Sequence, residues 1–184
     1  MFRIKVPANS AVVRTGLGGL KIVTGRAASV RCLPWMHKHT IVTFASKNLE
    51  LEIQGRESVL SKDELVVVCR ARVALSSLRD QASILQQVRS GAADRNSSSQ
   101  MDDVLRRKCT SAVKEIVAST DYVELQGGLL VNDEQSLARL SSQIKSQGFA
   151  VETLQIGNVQ LANDSDLDEG NYTHLKTIQY KAAK

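Results

Sequence analysis

Val12-Val13-Arg14-Thr15-Gly16-Leu17-Gly18-Gly19-Leu20-Lys21-Ile22-Val23 leads through Thr24-Gly25-Arg26 into Ala27-Ala28-Ser29-Val30-Arg31-Cys32-Leu33-Pro34-Trp35-Met36. Three short apolar runs are separated by two glycine-bearing turns, and the last run ends at a proline followed by the only tryptophan. This pattern reads as a compact antiparallel sheet that carries apolar side chains out to its loop tips. A phosphate loop is the competing reading of Gly16-Leu17-Gly18-Gly19. Neither Walker spacing nor GxGxxG is present, and the segment leads into a strand, so no helix N-terminus is there to hold phosphate. A hairpin turn remains.

Working outward, His37-Lys38-His39-Thr40-Ile41-Val42-Thr43-Phe44 is rich in β-branched residues and reads as a further strand. Residues 48–54 alternate, with Leu49, Leu51 and Ile53 on one side and Glu50 and Glu52 on the other. Residues 58–61 make a short strand before the polar turn Lys62-Asp63-Glu64. In residues 65–75 Leu65, Val67, Cys69, Ala71, Val73 and Leu75 face inward while Arg70 and Arg72 face outward. Together these runs predict one antiparallel sheet with a polar outer surface.

The period changes at Asp80, after which Ile84, Leu85 and Val88 recur at helical spacing until Gly91. Residues 91–100 are small and polar and read as a flexible connection. Asp102 and Asp103 open a helix whose Leu105, Cys109, Ala112, Val113, Ile116 and Val117 share a face. Gly127-Gly128 interrupts the next segment. Asn132 or Asp133 caps a second helix, with Leu137, Leu140 and Ile144 in line, closed by Gly148 where left-handed geometry is wanted. Residues 149–161 return to strand character. Phe149 and Val151 share one parity and Leu154 and Ile156 the other, which predicts a bulge or twist between them. Residues 171–184 read as the start of a C-terminal helix carrying Tyr172, Leu175, Ile178 and Tyr180, with nothing left in the chain for it to pack on.

The 184 residues suffice for a real core, and 42% are hydrophobic. No stretch approaches the ~20 apolar residues needed to span a bilayer, and Met1-Phe2-Arg3-Ile4-Lys5 lacks the apolar run of a signal peptide. The expectation is a soluble or peripheral chain. Its net charge of +5 is distributed unevenly. No Asp or Glu precedes Glu50, whereas Arg3, Lys5, Arg14, Lys21, Arg26, Arg31, Lys38 and Lys47 all fall in that first quarter. Such a lobe suits an anionic surface, either phosphate backbone or lipid headgroups; its bland counterpart is a solvated basic face. Cys32, Cys69 and Cys109 are widely spaced with no CxxC, which argues against a disulfide framework or a zinc site. Cys69 and Cys109 lie on apolar faces and read as small core residues.

Chemical constellations are few. His37 and His39 lie two apart on one strand face, but no nearby Cys, Asp or Glu completes a metal site. Asp164-Ser165-Asp166-Leu167-Asp168 begins like a calcium loop, yet Glu169 stands where glycine is required and Leu175 where the bidentate Glu belongs. No nucleophile elbow appears, and His174 lies in the terminal helix. No metal, cofactor or catalytic residue is expected, and the chain reads as a non-enzyme. What remains is apolar side chains on turns of a basic lobe. Leu17, Leu20, Leu33, Trp35 and Met36 are the candidate membrane contacts, and Arg14, Lys21, Arg26, Arg31 and Lys38 the candidate basic surface around them. Buried packing competes with this reading at each apolar position, most of all at Leu20 and Leu33.

Residues 6–19, Val6-Pro7-Ala8-Asn9-Ser10-Ala11-Val12-Val13-Arg14-Thr15-Gly16-Leu17-Gly18-Gly19, closely resemble the opening of the SPFH (band 7) domain of bacterial flotillin-like inner-membrane proteins. Further matches follow in order: Leu33-Pro34 with His37, the Asn48-Leu49-Glu50-Leu51 strand, Leu60-Ser61-Lys62-Asp63-Glu64, and the Asp168-Glu169-Gly170-Asn171-Tyr172 exit. The resemblance implies an α/β fold of the α+β type, a strongly curved antiparallel sheet with flanking helices. It implies one domain over residues 1–170, sheet-rich at 6–76, helix-rich at 80–148 and closed by a strand at 149–161, with 171–184 starting a C-terminal helix or truncated coiled coil. It also implies a membrane-associated scaffold at the cell inner membrane, on the cytoplasmic side, that forms homo-oligomers, organises membrane microdomains and works beside a small NfeD-type membrane partner. In relatives a hydrophobic segment usually precedes the domain and a long coiled coil follows it, so the chain resembles an excised domain or a short member. Acylated cysteines near the N-terminus of eukaryotic flotillins suggest Cys32 by analogy; a buried strand cysteine is the reading its own neighbours favour. The alternative function is a nucleic-acid-binding module using the same basic lobe. With only Phe2, Trp35 and Phe44 as aromatics there, and no RNP, KH or helix-turn-helix pattern, nucleic acid is not the expected partner.

Overall fold

The computed structural model describes residues 2–90, 98–130, 134–163, 167 and 172–183. Of the flexible connection read at 91–100, residues 91–97 lie outside the described residues, as do the helix cap at Asn132 or Asp133 and the acidic residues Asp164, Asp166 and Asp168, whereas Ser98, Ser99 and Gln100 are helical. Among the described residues ten strands and five α-helices follow one another: β1 (Phe2–Lys5), β2 (Ser10–Gly16), β3 (Lys21–Thr24), β4 (Ser29–Cys32), β5 (His37–Thr43), β6 (Ser46–Ile53), β7 (Val59–Leu60), β8 (Val66–Ser77), α1 (Gln81–Arg89), α2 (Ser98–Ala118), α3 (Tyr122–Gln126), β9 (Leu129–Leu130), α4 (Glu134–Lys145), β10 (Phe149–Leu161) and α5 (Tyr172–Ala182). The class is mixed α+β with antiparallel sheets. The single sheet expected from the strand runs is divided into three: β1-β4, β3-β2-β5, and a five-stranded sheet ordered β6-β8-β10-β9 with β7 on β8.

The chain forms two compact units, each assembled from three separate segments. The first comprises residues 1–47, 75–105 and 141–150. At its centre β2 pairs with β3 (Arg14 opposite Lys21) and with β5 (Arg14 opposite His39, Gly16 opposite His37). The run Ala11-Val12-Val13 does not alternate with polar residues because both faces of this strand are covered. Val12 packs with Val6, Val30 and Cys32 under β1 and β4, while Ala11 and Val13 pack with Val42 and Ile84, the latter from α1. That arrangement corrects the reading of residues 12–36 as three successive strands of one sheet. The third run does not pair with the second. Ala27 takes a left-handed φ of 67°, Val6 N–H donates to Ala28 O (2.9 Å), and β4 pairs antiparallel with β1 (Val30 opposite Ile4). A two-stranded ribbon laid over the sheet buries Val30 and Cys32 in a way an edge strand could not.

Helix α1 begins where the period changed: Asp80 is its N-cap, accepting from Ser83 N–H at 2.9 Å. Gly148 holds this end of the unit together with a φ of 82°; its carbonyl accepts from Leu78 N–H (2.9 Å) and from the buried Gln87 amide (2.7 Å). Helix α2 starts at Ser98, four residues before the acidic pair read as its opening, and Asp102 instead pairs with Lys47.

The second unit comprises residues 48–74, 106–140 and 151–184. Its sheet buries Leu49, Leu51 and Ile53 from β6 and Val67, Cys69, Ala71 and Val73 from β8. The opposite face carries the expected charges, paired as Arg72–Glu50 (3.1 Å) and Arg70–Glu52 (3.0 Å). Burial along β10 slips phase twice. The foreseen slip falls at Glu152 and Thr153, both exposed; the second falls at Asn158, whose φ of 50° follows Gly157. Gly127 and Gly128 end α3. Helix α5, expected to lack a packing partner, has one within this unit. Thr177 is fully buried and its Oγ1 accepts from Val66 N–H at 2.7 Å, Ile178 packs on Val66, Ala162 and Leu167, and Tyr180 meets Tyr122 edge-on at 5.8 Å.

Candidate functional site

The apolar candidates gather at one end of the β3-β2-β5 sheet, on or beside two turns. The turn leaving β2 is closed by Gly19 N–H donating to Gly16 O (2.9 Å). The turn entering β5 is closed by Met36 N–H and His37 N–H, which share Leu33 O as acceptor (3.1 and 3.0 Å). Leu17 N–H donates to Met36 O (3.2 Å), joining one turn to the other. Gly16 permits that approach: its φ is 128°, and a Cβ on it would overlap the Met36 carbonyl.

The imidazole of His37 makes the second joint. Its Nδ1 lies 3.0 Å from Leu33 N and its Nε2 2.8 Å from Leu17 O. Leu33 N–H can only donate, so Nδ1 is the acceptor, and the single ring proton sits on Nε2 and is donated to the Leu17 carbonyl. The neutral ring therefore spans the two turns. The sequence offers His37 as half of a metal pair with His39, as a strand residue, and as one of the residues that carry the family resemblance. No spacing rule announces a histidine that bonds a carbonyl twenty residues earlier. His39 turns elsewhere, with its ring 6.1 Å from that of Phe2, and the described residues contain no cluster of three metal-ligating groups.

Trp35 is 85% exposed, Leu17 68% and Leu20 51%, whereas Leu33 and Met36 are half-buried against the turns. Four of the five apolar candidates thus share the joined turns, and Leu20 follows just before the return strand β3. Among the basic candidates, Arg14 is half-buried and tied down, its Nη1 donating to Arg31 O (3.2 Å) while its Nε is buried without a partner. Lys21 and His39 flank it across the sheet in register. Lys21, Arg31 and Lys38 are exposed, and none enters an ion pair among the described residues. Arg26 is exposed too but lies beyond Thr24, at the other end of β3 from the two turns. Cys32, the residue raised as an acylation site, is fully buried beneath the sheet.

The electrostatics follow from the sequence asymmetry. The described carboxylates of this unit are Asp80, Asp102 and Asp103, all beyond its strands. Asp80 is spent on capping α1, where hydrogen bonds from Ser83, side chain first and backbone next, hold its carboxyl below the usual carboxylate range. Asp102 is spent on Lys47. The turns therefore present apolar groups beside cations that enter no ion pair among the described residues, a combination suited to the boundary between headgroups and acyl chains. The polar cleft on the outer sheet face of the second unit, lined by Glu50, Glu52, Arg70, Arg72 and Gln155, offers less, because its charges already neutralise one another. None of the described helices is long and apolar enough to cross a membrane.

No curated protein matches the chain. A family model described as the SPFH domain / Band 7 family matches residues 4–166, a span that takes in both turns, all or part of each described sheet and four of the five described helices. By that match the chain belongs to the SPFH domain / Band 7 family.

Proposed function

We propose that this chain is a membrane-associated scaffold domain of the flotillin-like kind, in which the turns at 16–20 and 33–36 meet anionic lipid and homo-oligomers organise membrane microdomains. Membership in a family of membrane-associated, generally non-enzymatic scaffold domains supports the first part. The observation that carries the lipid contact is Trp35, the chain's only tryptophan, standing 85% exposed on a lobe with no carboxylate before Glu50. Withdrawing a side chain the size of Leu17 from water contributes about 1.5–3 kcal/mol, and each lysine or arginine near an anionic surface about 1 kcal/mol. Two or three such groups acting together suffice for peripheral binding.

In this reading the domain sits at the cytoplasmic face of the cell inner membrane, other surfaces of the chain meet neighbouring copies, and a small NfeD-type membrane protein is its companion. Co-sedimentation with phosphatidylserine-containing vesicles tests the lipid contact. The parent should bind, less so as salt rises, and Trp35→Ala and Met36→Ala should weaken binding, the former by tenfold or more, an estimate of about 1.4 kcal/mol or above. Equal binding by parent and both variants sinks the assignment. The assembly claim is read from the mass of the chain in solution beside a version extended at both ends.

A further inference from the structure

We infer that His37 is a proton-operated clamp on the two turns, so that acid loosens the turn carrying Trp35 and favours its entry into an anionic bilayer. The lipid half of this rests on the proposed function; the clamp itself rests on geometry alone.

Both ring nitrogens of His37 are committed, Nδ1 as acceptor from Leu33 N–H (3.0 Å) and Nε2 as donor to Leu17 O (2.8 Å). Only the neutral ring can do both. A proton added at Nδ1 sets two donors face to face, which breaks the bond to Leu33 N–H while leaving the one to Leu17. Leu33 also supplies the carbonyl that closes the 33–36 turn, so the disturbance falls on the segment holding Trp35. Histidine side chains as a class change charge between pH 5 and 8.

The surroundings of His37 are mostly basic. The charged and titratable groups on the elements packed here are Arg14 on β2, Lys21 on β3, Arg31 and Cys32 on β4, Arg3 and Lys5 on β1, and Lys38 and His39 on β5. Helix α1, which packs through Ile84 near Val42 in β5, carries Asp80 at its cap and Arg89 in its last turn. Cations dominate among these groups. An anionic membrane offsets them and concentrates protons at its surface. Binding and protonation therefore favour each other, and by linkage each strengthens the other equally.

Trp35 reports the clamp directly, being the only tryptophan. In buffer without lipid, acrylamide quenching of its fluorescence should change between pH 7.5 and 5.5 in the parent and in His39→Gln, and stay flat in His37→Gln, whose amide can donate and accept at both pH values. Imidazole nitrogen NMR of the parent, which needs no variant, should show the Nε2–H tautomer of His37 at pH 7.5. With phosphatidylserine vesicles, partitioning of the parent should rise from pH 7.5 to 5.5 roughly fivefold or more beyond any rise in His37→Gln. An Nδ1–H tautomer, a flat quenching profile in the parent, or an equal vesicle response in His37→Gln overturns the clamp. A quenching change abolished in His37→Gln, with no vesicle binding at either pH, supports the clamp and overturns the lipid reading instead.

Discussion

Replacing Gly148 by alanine tests how the first unit is held together. Gly148 adopts φ 82°, and a Cβ there would stand 2.7 Å from Ser83 O and 2.7 Å from Gln87 Cγ. Holding alanine in a left-handed conformation costs roughly 1–2 kcal/mol. The Gln87 side chain can swing aside, at the loss of its 2.7 Å bond to Gly148 O, worth about 1 kcal/mol. The Ser83 carbonyl belongs to the backbone of α1 and cannot, so helix and strand must also move apart. The lower entropy of alanine in the unfolded chain returns about 0.4–1 kcal/mol. These figures leave about 1–2.6 kcal/mol, and parting the helix from the strand adds to it, so the net loss is about 2–3 kcal/mol. With a urea slope of about 2 kcal/mol per molar, the midpoint should fall by about 1–1.5 M at unchanged slope. Truncating the obstructing side chain in Gly148→Ala/Gln87→Ala should not restore it, because the carbonyl remains. A midpoint within about 0.3 M of the parent, outside the range expected from that slope, or full recovery in the double variant, would refute the close backbone approach.

Two further outcomes follow from buried groups in the second unit. Thr177→Val keeps the shape of the side chain but strands Val66 N–H, so it should lower stability by about 1–3 kcal/mol; proteolysis within α5 should rise with it, and an unchanged urea midpoint contradicts the packing of that helix. Burial pushes the thiols of Cys69 and Cys109 from 9.0 up to about 11. The folded state thus prefers the thiol form, a contribution fully present below pH 9 and lost as pH rises through 11, because the unfolded thiols ionise first. The stability of the parent should consequently fall more steeply over that window than that of a Cys69→Ala/Cys109→Ala variant, and parallel pH profiles would show that the thiols are not so buried.

Much of this fold is visible in the order of residues because it is written in local periods. Leu49, Leu51 and Ile53 alternate with Glu50 and Glu52, and Cys69, Ala71 and Val73 with Arg70 and Arg72. A strand buried on one face admits no other spacing, and the two charge rows meet as ion pairs. Gly148 could be marked as left-handed from its place after an amphipathic run. The uneven charge of the first quarter needed no structure at all. Alternation, in contrast, gave no warning at 10–16: a strand covered on both faces loses its period, and only the packing of β1, β4 and α1 explains why.

For the candidate site, residue types and turn positions sufficed to select Leu17, Trp35 and the cations around them. Glycine and proline force the turns, and a turn tip carries its side chains outward. What the sequence could not decide is who pairs with whom. Nothing within residues 12–36 says that Ser29–Cys32 will leave β3 for Phe2–Lys5, that α5 will find Val66 and Tyr122, or that His37 will reach back to Leu17. Periodicity records which side of an element is buried, a property repeated every two or 3.6 residues. The choice of partner is settled by competition among distant segments for the same edge or lone pair, and that competition takes place only in the folded chain.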